Sequence, residues 1–327
     1  MLDIITFGEA MVRLSPPSFR RLEQAQTLDV QVGGAELNTA VGLARLGRTS
    51  AWVSRLTDNP LGRLIVNRAR EAGVSPDLVQ LTDADRVGVY FLEHGAAPRA
   101  SGVIYDRANS AMANVRPDMF DWAKVLEGVN WFYVTGITAA LSATAAETTL
   151  EALRAAQAAG VTTCLDPNYR AKLWTVDQAK AWLAEAIQHV DVLVTNPQDL
   201  ERFFGVPGSN LEAAATDAAG KYNLVALAMT LRQTPSVWRN AVSSVGFAGG
   251  RFVQSASYEV EVVDRLGSGD AFVAGLLHGL LDGDLEKGLA YGTAMSALKH
   301  TIPGDFPWVT KGEVEALIHG GGLRVNR

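Results

Sequence analysis

The sequence predicts an α/β fold: a doubly wound, mostly parallel sheet with helices on both faces, plus a small β-sheet lid. Three observations support this. Short apolar runs alternate with amphipathic helical runs along most of the 327 residues. That rhythm belongs to a parallel sheet buried on both sides. Two stretches break the rhythm and suit no strand–helix unit. The composition, 48% hydrophobic and 20% charged, is globular, and a chain of this length buries a sizeable core without staples.

The elements follow in order. Strands are expected at Ile4–Phe7, Ala51–Ser54, Trp131–Thr135, Thr162–Leu165, Val190–Thr195 and Leu224–Met229. Helices are expected around Glu36–Leu46, Leu61–Ala72, Ala145–Ala159, Gln178–Gln188, Leu211–Lys221, Ala271–Leu281 and Leu285–His300. The first break, Met11–Val32, is polar and carries Pro16 and Pro17. The second, Arg86–Arg107, reads as two alternating strands joined by a Gly/Pro turn. Together they are expected to form the lid, with segments near 11–33 and 86–108 inserted in a single domain over 1–327. Gly42–Thr49 nearly matches a phosphate-binding P-loop. However, Arg48 stands in place of Lys, and Leu43-Ala44-Arg45-Leu46 is helix-forming. Gly47 reads as a helix C-cap.

Several function classes are excluded early. Lys plus Arg number 29 against 35 Asp plus Glu, a net charge of -6, so nucleic acid is not the expected partner. No run of 18 apolar residues predicts a membrane span, and Met1–Gly8 has no basic leader. The one cysteine, Cys164, forbids an internal disulfide, and the five histidines are scattered. A cytoplasmic protein acting on small molecules is expected.

Two segments carry chemistry. In Gly33-Gly34-Ala35-Glu36-Leu37-Asn38, two glycines allow close backbone approach to a ligand just before a helix, with Asn38 in its first turn. Asp264-Arg265-Leu266-Gly267-Ser268-Gly269-Asp270 follows a strand-like run and opens a strong helix. Gly267, Ser268 and Gly269 offer backbone N–H groups at the positive end of that helix, an anion hole. Asp270 beside it caps the helix or serves as a base. A base next to an anion hole is what phosphoryl transfer to a hydroxyl requires.

These two segments, in this order and at this separation, resemble the signatures of the PfkB (ribokinase-like) carbohydrate kinase family, and the likeness extends over nearly the whole chain. The resemblance implies a ribokinase-like fold and makes Asp270 the catalytic base. It gives Gly267, Ser268 and Gly269 to the phosphates of ATP. Asn196 and Asp199 resemble an Asn-x-x-Glu motif that helps place Mg²⁺ through water, with Asp199 one methylene shorter than usual. Thr230 and Arg232 resemble a Thr-Leu-Gly stretch along the nucleotide, with Arg232 replacing glycine. Asp264 resembles a residue that binds a monovalent cation such as K⁺ in some members.

Tyr90, Tyr105-Asp106-Arg107, Asp166-Pro167-Asn168-Tyr169-Arg170 and the stretch ending in Asp305 are more similar to the 2-keto-3-deoxygluconate kinases of that family than to its ribokinases. The resemblance implies that Gly34, Glu36, Asn38, Tyr90, Tyr105, Arg107, Arg170, Asp270 and Asp305 meet a sugar acid. Arg107 would clamp its carboxylate. Asn168 and Arg170 would lie between sugar and phosphates. A homodimer through the lid is expected. The alternatives are a fructokinase-like enzyme and a non-catalytic sugar-binding regulator on the same fold.

Overall fold

The structure, a computed structural model, describes residues 2–321 of the chain. In chain order the strands are β1 (Leu2–Phe7), β2 (Met11–Ser15), β3 (Asp29–Gly33), β4 (Ser50–Thr57), β5 (Val79–Thr82), β6 (Val89–Glu93) and β7 (Gly102–Asp106). They continue with β8 (Val129–Thr135), β9 (Thr162–Asp166), β10 (Val192–Thr195), β11 (Ala226–Ser236), β12 (Arg239–Ala248), β13 (Arg251–Gln254) and β14 (Tyr258–Glu261). The main sheet runs β13-β12-β11-β10-β9-β8-β1-β4-β5, with β14 beside β12. From β11 to β5 every pairing is parallel. The strand order reverses around β1, and ligands bind beyond the carboxyl ends of strands at such a switch point.

The parallel strands are apolar on both faces because helices cover both. Ile4, Tyr133, Cys164 and Val192 pack toward helices Ser268–Leu280 and Leu285–His300. Ile5, Phe132, Leu165 and Leu193 pack toward helices Ala143–Ala158 and Val176–Ala186. Gly47 has φ 86° just past helix Ala35–Arg45, and its N–H bonds the Ala44 carbonyl at 3.0 Å. The P-loop look-alike is therefore helix and cap.

The predicted lid is a separate four-stranded sheet, β3-β2-β6-β7. One face carries Arg13, Tyr90 and Tyr105 in adjacent register; the other carries the row Val30, Leu14, Phe91 and Ile104. From the sequence, Val89, Phe91, Val103 and Ile104 are expected on the lid's outer face. The register puts Val103 opposite Leu92, on the same face as Tyr90, because neighbours on a strand alternate.

Two differences concern the antiparallel edge and a helix. β11 was expected to stop at Met229, but it continues to Ser236 and pairs with β12, a strand not anticipated. Helix Pro197–Phe204 was also not anticipated; Asn196 caps it by accepting from the Asp199 N–H at 2.9 Å. No helix among the described residues is long and apolar enough to cross a membrane.

Candidate active site

A cavity of about 1620 Å³ opens beyond the carboxyl ends of the parallel strands and under the lid. Two helices begin at its floor. Helix Ala35–Arg45 starts at Gly34, and helix Ser268–Leu280 starts at Gly267. The two glycine-rich segments, far apart in sequence, thus meet in space.

The glycines have specific reasons. A Cβ on Gly34 would stand 2.1 Å from the Glu9 carbonyl oxygen, so only glycine fits against the β1–β2 link. Gly267 has φ 79°, in the left-handed region, and a Cβ there would stand 2.0 Å from the Asp305 carbonyl oxygen. The amides expected from Gly267 to Gly269 are not all equivalent. The Ser268 N–H turns back to the Arg265 carbonyl at 3.3 Å. Gly269 and Asp270 lie in the first helical turn, where N–H groups have no carbonyl one turn back.

Asp270 faces this cavity and is 9% exposed. Asn38 donates to its Oδ2 at 2.6 Å. Burial pushes the Asp270 carboxyl up to about 6, against the Asn38 hydrogen bond; Asp305 adds to the rise, while Arg170 and Lys299 oppose it. A carboxylate with that value is ionised at neutral pH and still basic enough to take a proton.

One end of the cavity suits a polyhydroxy ligand. Gly34, Asn38, Tyr90, Tyr105, Arg107 and Asp305 all line it. Tyr90 donates to Asp305 Oδ2 at 2.6 Å, and Arg13 Nη1 donates to Oδ1 at 2.7 Å. Arg107 reaches in from the end of β7, but it is already engaged. Its Nε donates to Glu9 Oε2 at 2.8 Å, and its Nη2 bonds the same oxygen. Ser110 holds the other Glu9 oxygen. Tyr105 lies under the Arg107 guanidinium at 5.6 Å.

The other end is cationic. Asn168, Arg170, Asn196, Asp199, Thr230, Arg232 and Gly267–Gly269 line it, together with Arg265. Among the described residues Arg170 bonds local carbonyls, those of Asn168 at 3.4 Å and Tyr169 at 3.0 Å. Arg232 Nη2 donates to Ser268 Oγ at 3.4 Å. Loss of water around its guanidinium in the cavity, and then Arg265 and Arg170, pull Arg232 below its ordinary value. Converging guanidiniums of this kind fit a polyphosphate. Asp199 Oδ2 accepts from Asn196 Nδ2 at 2.8 Å. Asp166, at the end of β9, shares the wall, and burial pushes it up to about 7.

Two expected site residues are not at the cavity wall. Glu36 is fully buried, and its Oε1 accepts from the Thr135 N–H at 3.0 Å and from the Thr135 and Thr138 hydroxyls at 2.7 Å each. It ties the helix start to the end of β8 instead of meeting a ligand. Asp264 is 2% exposed; Arg13 Nη2 donates to its Oδ2 at 2.6 Å, and the Gly304 N–H does so at 3.0 Å. Its side chain is committed to the protein. Among the described residues no group of three or more His, Cys, Asp or Glu side chains is arranged to hold a metal.

Sequence reasoning assigned no role to Glu9, Arg13, Asp166, Arg265 or Lys299. Glu9 and Asp166 carried a readable signal, since each sits at or just beyond the carboxyl end of a parallel strand. Arg13 sits mid-strand and gave none.

Known proteins resemble this chain over nearly its whole length. Residues 1–305 match the profile described as pfkB family carbohydrate kinase. A 2-dehydro-3-deoxygalactonokinase of Haloferax volcanii is 40% identical over 326 residues, 99% of each chain. A 2-dehydro-3-deoxygluconokinase of Bacillus subtilis is 28% identical over 319 residues, 93% of this chain and 91% of its own. The crystal structure of a 2-dehydro-3-deoxygluconokinase from Thermotoga maritima superposes with a TM-score of 0.94 at 39% identity, covering 98% of this chain and all of that one (100%).

Proposed function

The chain belongs to the pfkB carbohydrate kinase family, and from that premise we propose that it moves the γ-phosphoryl of ATP to the 6-hydroxyl of 2-keto-3-deoxygluconate, with Asp270 as general base. The observation that carries this reading is the Asp270 carboxylate. It is held by Asn38 at 2.6 Å, at the start of a helix whose first amides open to the same cavity.

The sugar lies under the lid with its terminal hydroxyl toward Asp270. Asp270 accepts that proton as the oxygen attacks phosphorus in line. The helix start, Arg170, Arg232 and Arg265 stabilise charge on the phosphates. Asp199 and Asp166 line this end of the cavity and would hold Mg²⁺ there. When bound it neutralises charge on the β- and γ-phosphates. The lid keeps water from the phosphoryl group. Arg107 takes the sugar carboxylate as a planar, charge-assisted partner. Two copies pair through the outer lid row, where Val30 is 48% exposed and Ile104 59%.

A second reading has its own support. Glu9 already neutralises Arg107, which would suit a neutral ketose such as fructose. ADP release with Mg·ATP decides, tested against 2-keto-3-deoxygluconate, its C4 epimer, fructose, ribose and adenosine. Turnover confined to the keto-deoxy acids supports the carboxylate clamp. Turnover on fructose keeps Asp270 as base and removes Arg107 as clamp. If turnover is confined to the keto-deoxy acids, Arg107→Ala is then expected to raise KM for the acid about a hundredfold, the value of the two charged hydrogen bonds of a bidentate clamp, and to leave KM for ATP nearly unchanged.

A further inference from the structure

Lys299 lies one residue before the end of helix Leu285–His300, and its side chain is fully buried. Its Nζ donates to the carbonyl oxygens of Ile302 at 3.0 Å and Asp264 at 3.3 Å. Both carbonyls belong to segments that shape the anion hole. Asp264 begins the turn that ends in Gly267. Ile302 begins the turn that ends in Asp305, whose carbonyl oxygen leaves Gly267 no room for a side chain. Backbone carbonyl dipoles converging on a positive charge are how proteins hold a dehydrated monovalent cation. Here an ammonium stands at those dipoles.

Arg13 and Lys299 face Asp264 and Asp305, with Arg13 donating to both carboxylates at 2.6 and 2.7 Å, and Arg170 acts on Asp270 beside them, so three cations stand against three carboxylates. The Asp264 Oδ1 also accepts from the Leu266 N–H at 3.1 Å. The Asp264 side chain that would serve an alkali ion is thus spoken for, and its carbonyl is held by Lys299. An added ion would be an uncompensated cation away from water, which is strongly unfavourable.

We propose that the Lys299 ammonium is a resident substitute for a monovalent cation: it braces the Asp264–Gly267 turn behind the anion hole, so this enzyme needs no K⁺. Lys299 is a positioning residue, since it acts through the backbone of that turn. Burial lowers its pKa, while the carboxylates of Asp264, Asp305 and Asp270 favour its charged form. The role of the turn in catalysis rests on the kinase reading; the cation exclusion does not.

The test measures Tm and ADP-release rate in potassium, sodium and tetramethylammonium chloride at matched ionic strength. The wild-type protein is expected to give the same values in all three. In Lys299→Ala the carbonyls and one unbalanced carboxylate are left without their cation. K⁺ is then expected to raise its Tm, and its rate about fivefold or more over tetramethylammonium, the scale of ordinary site coupling. K⁺ stimulation or stabilisation of the wild type would overturn the proposal. So would a variant with one Tm and one rate in all three salts, because a plain packing defect does not distinguish the ions. If Lys299→Ala does not fold, Lys299→Met, which keeps the length and removes the charge, gives the same readouts. If no acceptor is turned over, the kinase reading fails, and the Tm comparison still decides the cation question.

Discussion

Asp270 and Glu36 are both buried carboxyls in the first turns of helices that meet at the cavity, yet only one faces it. Asp270→Asn keeps an oxygen for the Asn38 donor, so the fold is expected to survive while kcat falls by about 10²–10⁴, the usual weight of a general base. Steady-state rates beside a melting curve check this. With the base at about 6, kcat/KM is expected to fall as pH drops below that value, because protonated Asp270 cannot accept the hydroxyl proton. Glu36 acts on stability instead. Burial pushes it up to about 7, above its unfolded value, so the native state holds more protons between those values. Its stabilising contribution is complete below the unfolded value and lost as pH rises through about 7. Glu36→Gln is therefore expected to flatten the fall of Tm between mildly acidic and alkaline pH; an unchanged slope would assign that fall to other groups. Sequence could not separate Glu36 from Asn38. Two residues apart on a helix point roughly 200° apart, so only one of the pair can face the ligand, and the motif does not say which. Arg13 was unreadable for another reason: it meets Asp264 and Asp305 across 251 and 292 positions.

Among the elements, β11 and helix Ser268–Leu280 show what a local motif can and cannot report. The helix start was legible because glycine, serine and aspartate before an apolar run have a local cause: left-handed backbone, exposed amides and a cap. β11 was misjudged because its second half, Arg232–Ser236, is polar and exposed while the first half is buried. Arg232 stands where a glycine would weaken the strand; instead it pairs in register with Val242 and brings its guanidinium to Ser268. Arg232→Ala is expected to raise KM for ATP about tenfold, the worth of one charged hydrogen bond, and to leave KM for the sugar acid in place. Equal changes for both substrates would place Arg232 outside the phosphate site. Gly267→Ala is expected to be worse than either neighbour, since the strained φ and the Asp305 carbonyl both oppose a Cβ. Nucleotide binding by calorimetry measures that loss.

For the whole molecule, the parallel sheet was legible because strands buried on both faces leave continuous apolar runs. The antiparallel edge β12–β13–β14 leaves weaker alternation, and its placement depends on partners. The lid was legible as two interruptions, and its pairing follows once β2 and β6 lie side by side. Its outer row crosses all four strands through Val30, Leu14, Phe91 and Ile104, exposed at Val30 and Ile104 and half-buried between them. Apolar residues left exposed at the ends of such a row favour self-association. Light scattering is expected to report a dimer, and Ile104→Lys a monomer; an unchanged mass would move the interface elsewhere.

The cavity draws on Glu9 near one end of the sequence and Asp305 near the other. This long span has a consequence during synthesis. A chain leaving the ribosome carries Glu9, Asn38 and the lid strands long before the helix start at Gly267 and the wall at Asp305. A chain that stops short of Gly267 therefore has no assembled anion hole. Fragments cut between the two halves would gain activity only by finding one another, each being silent alone.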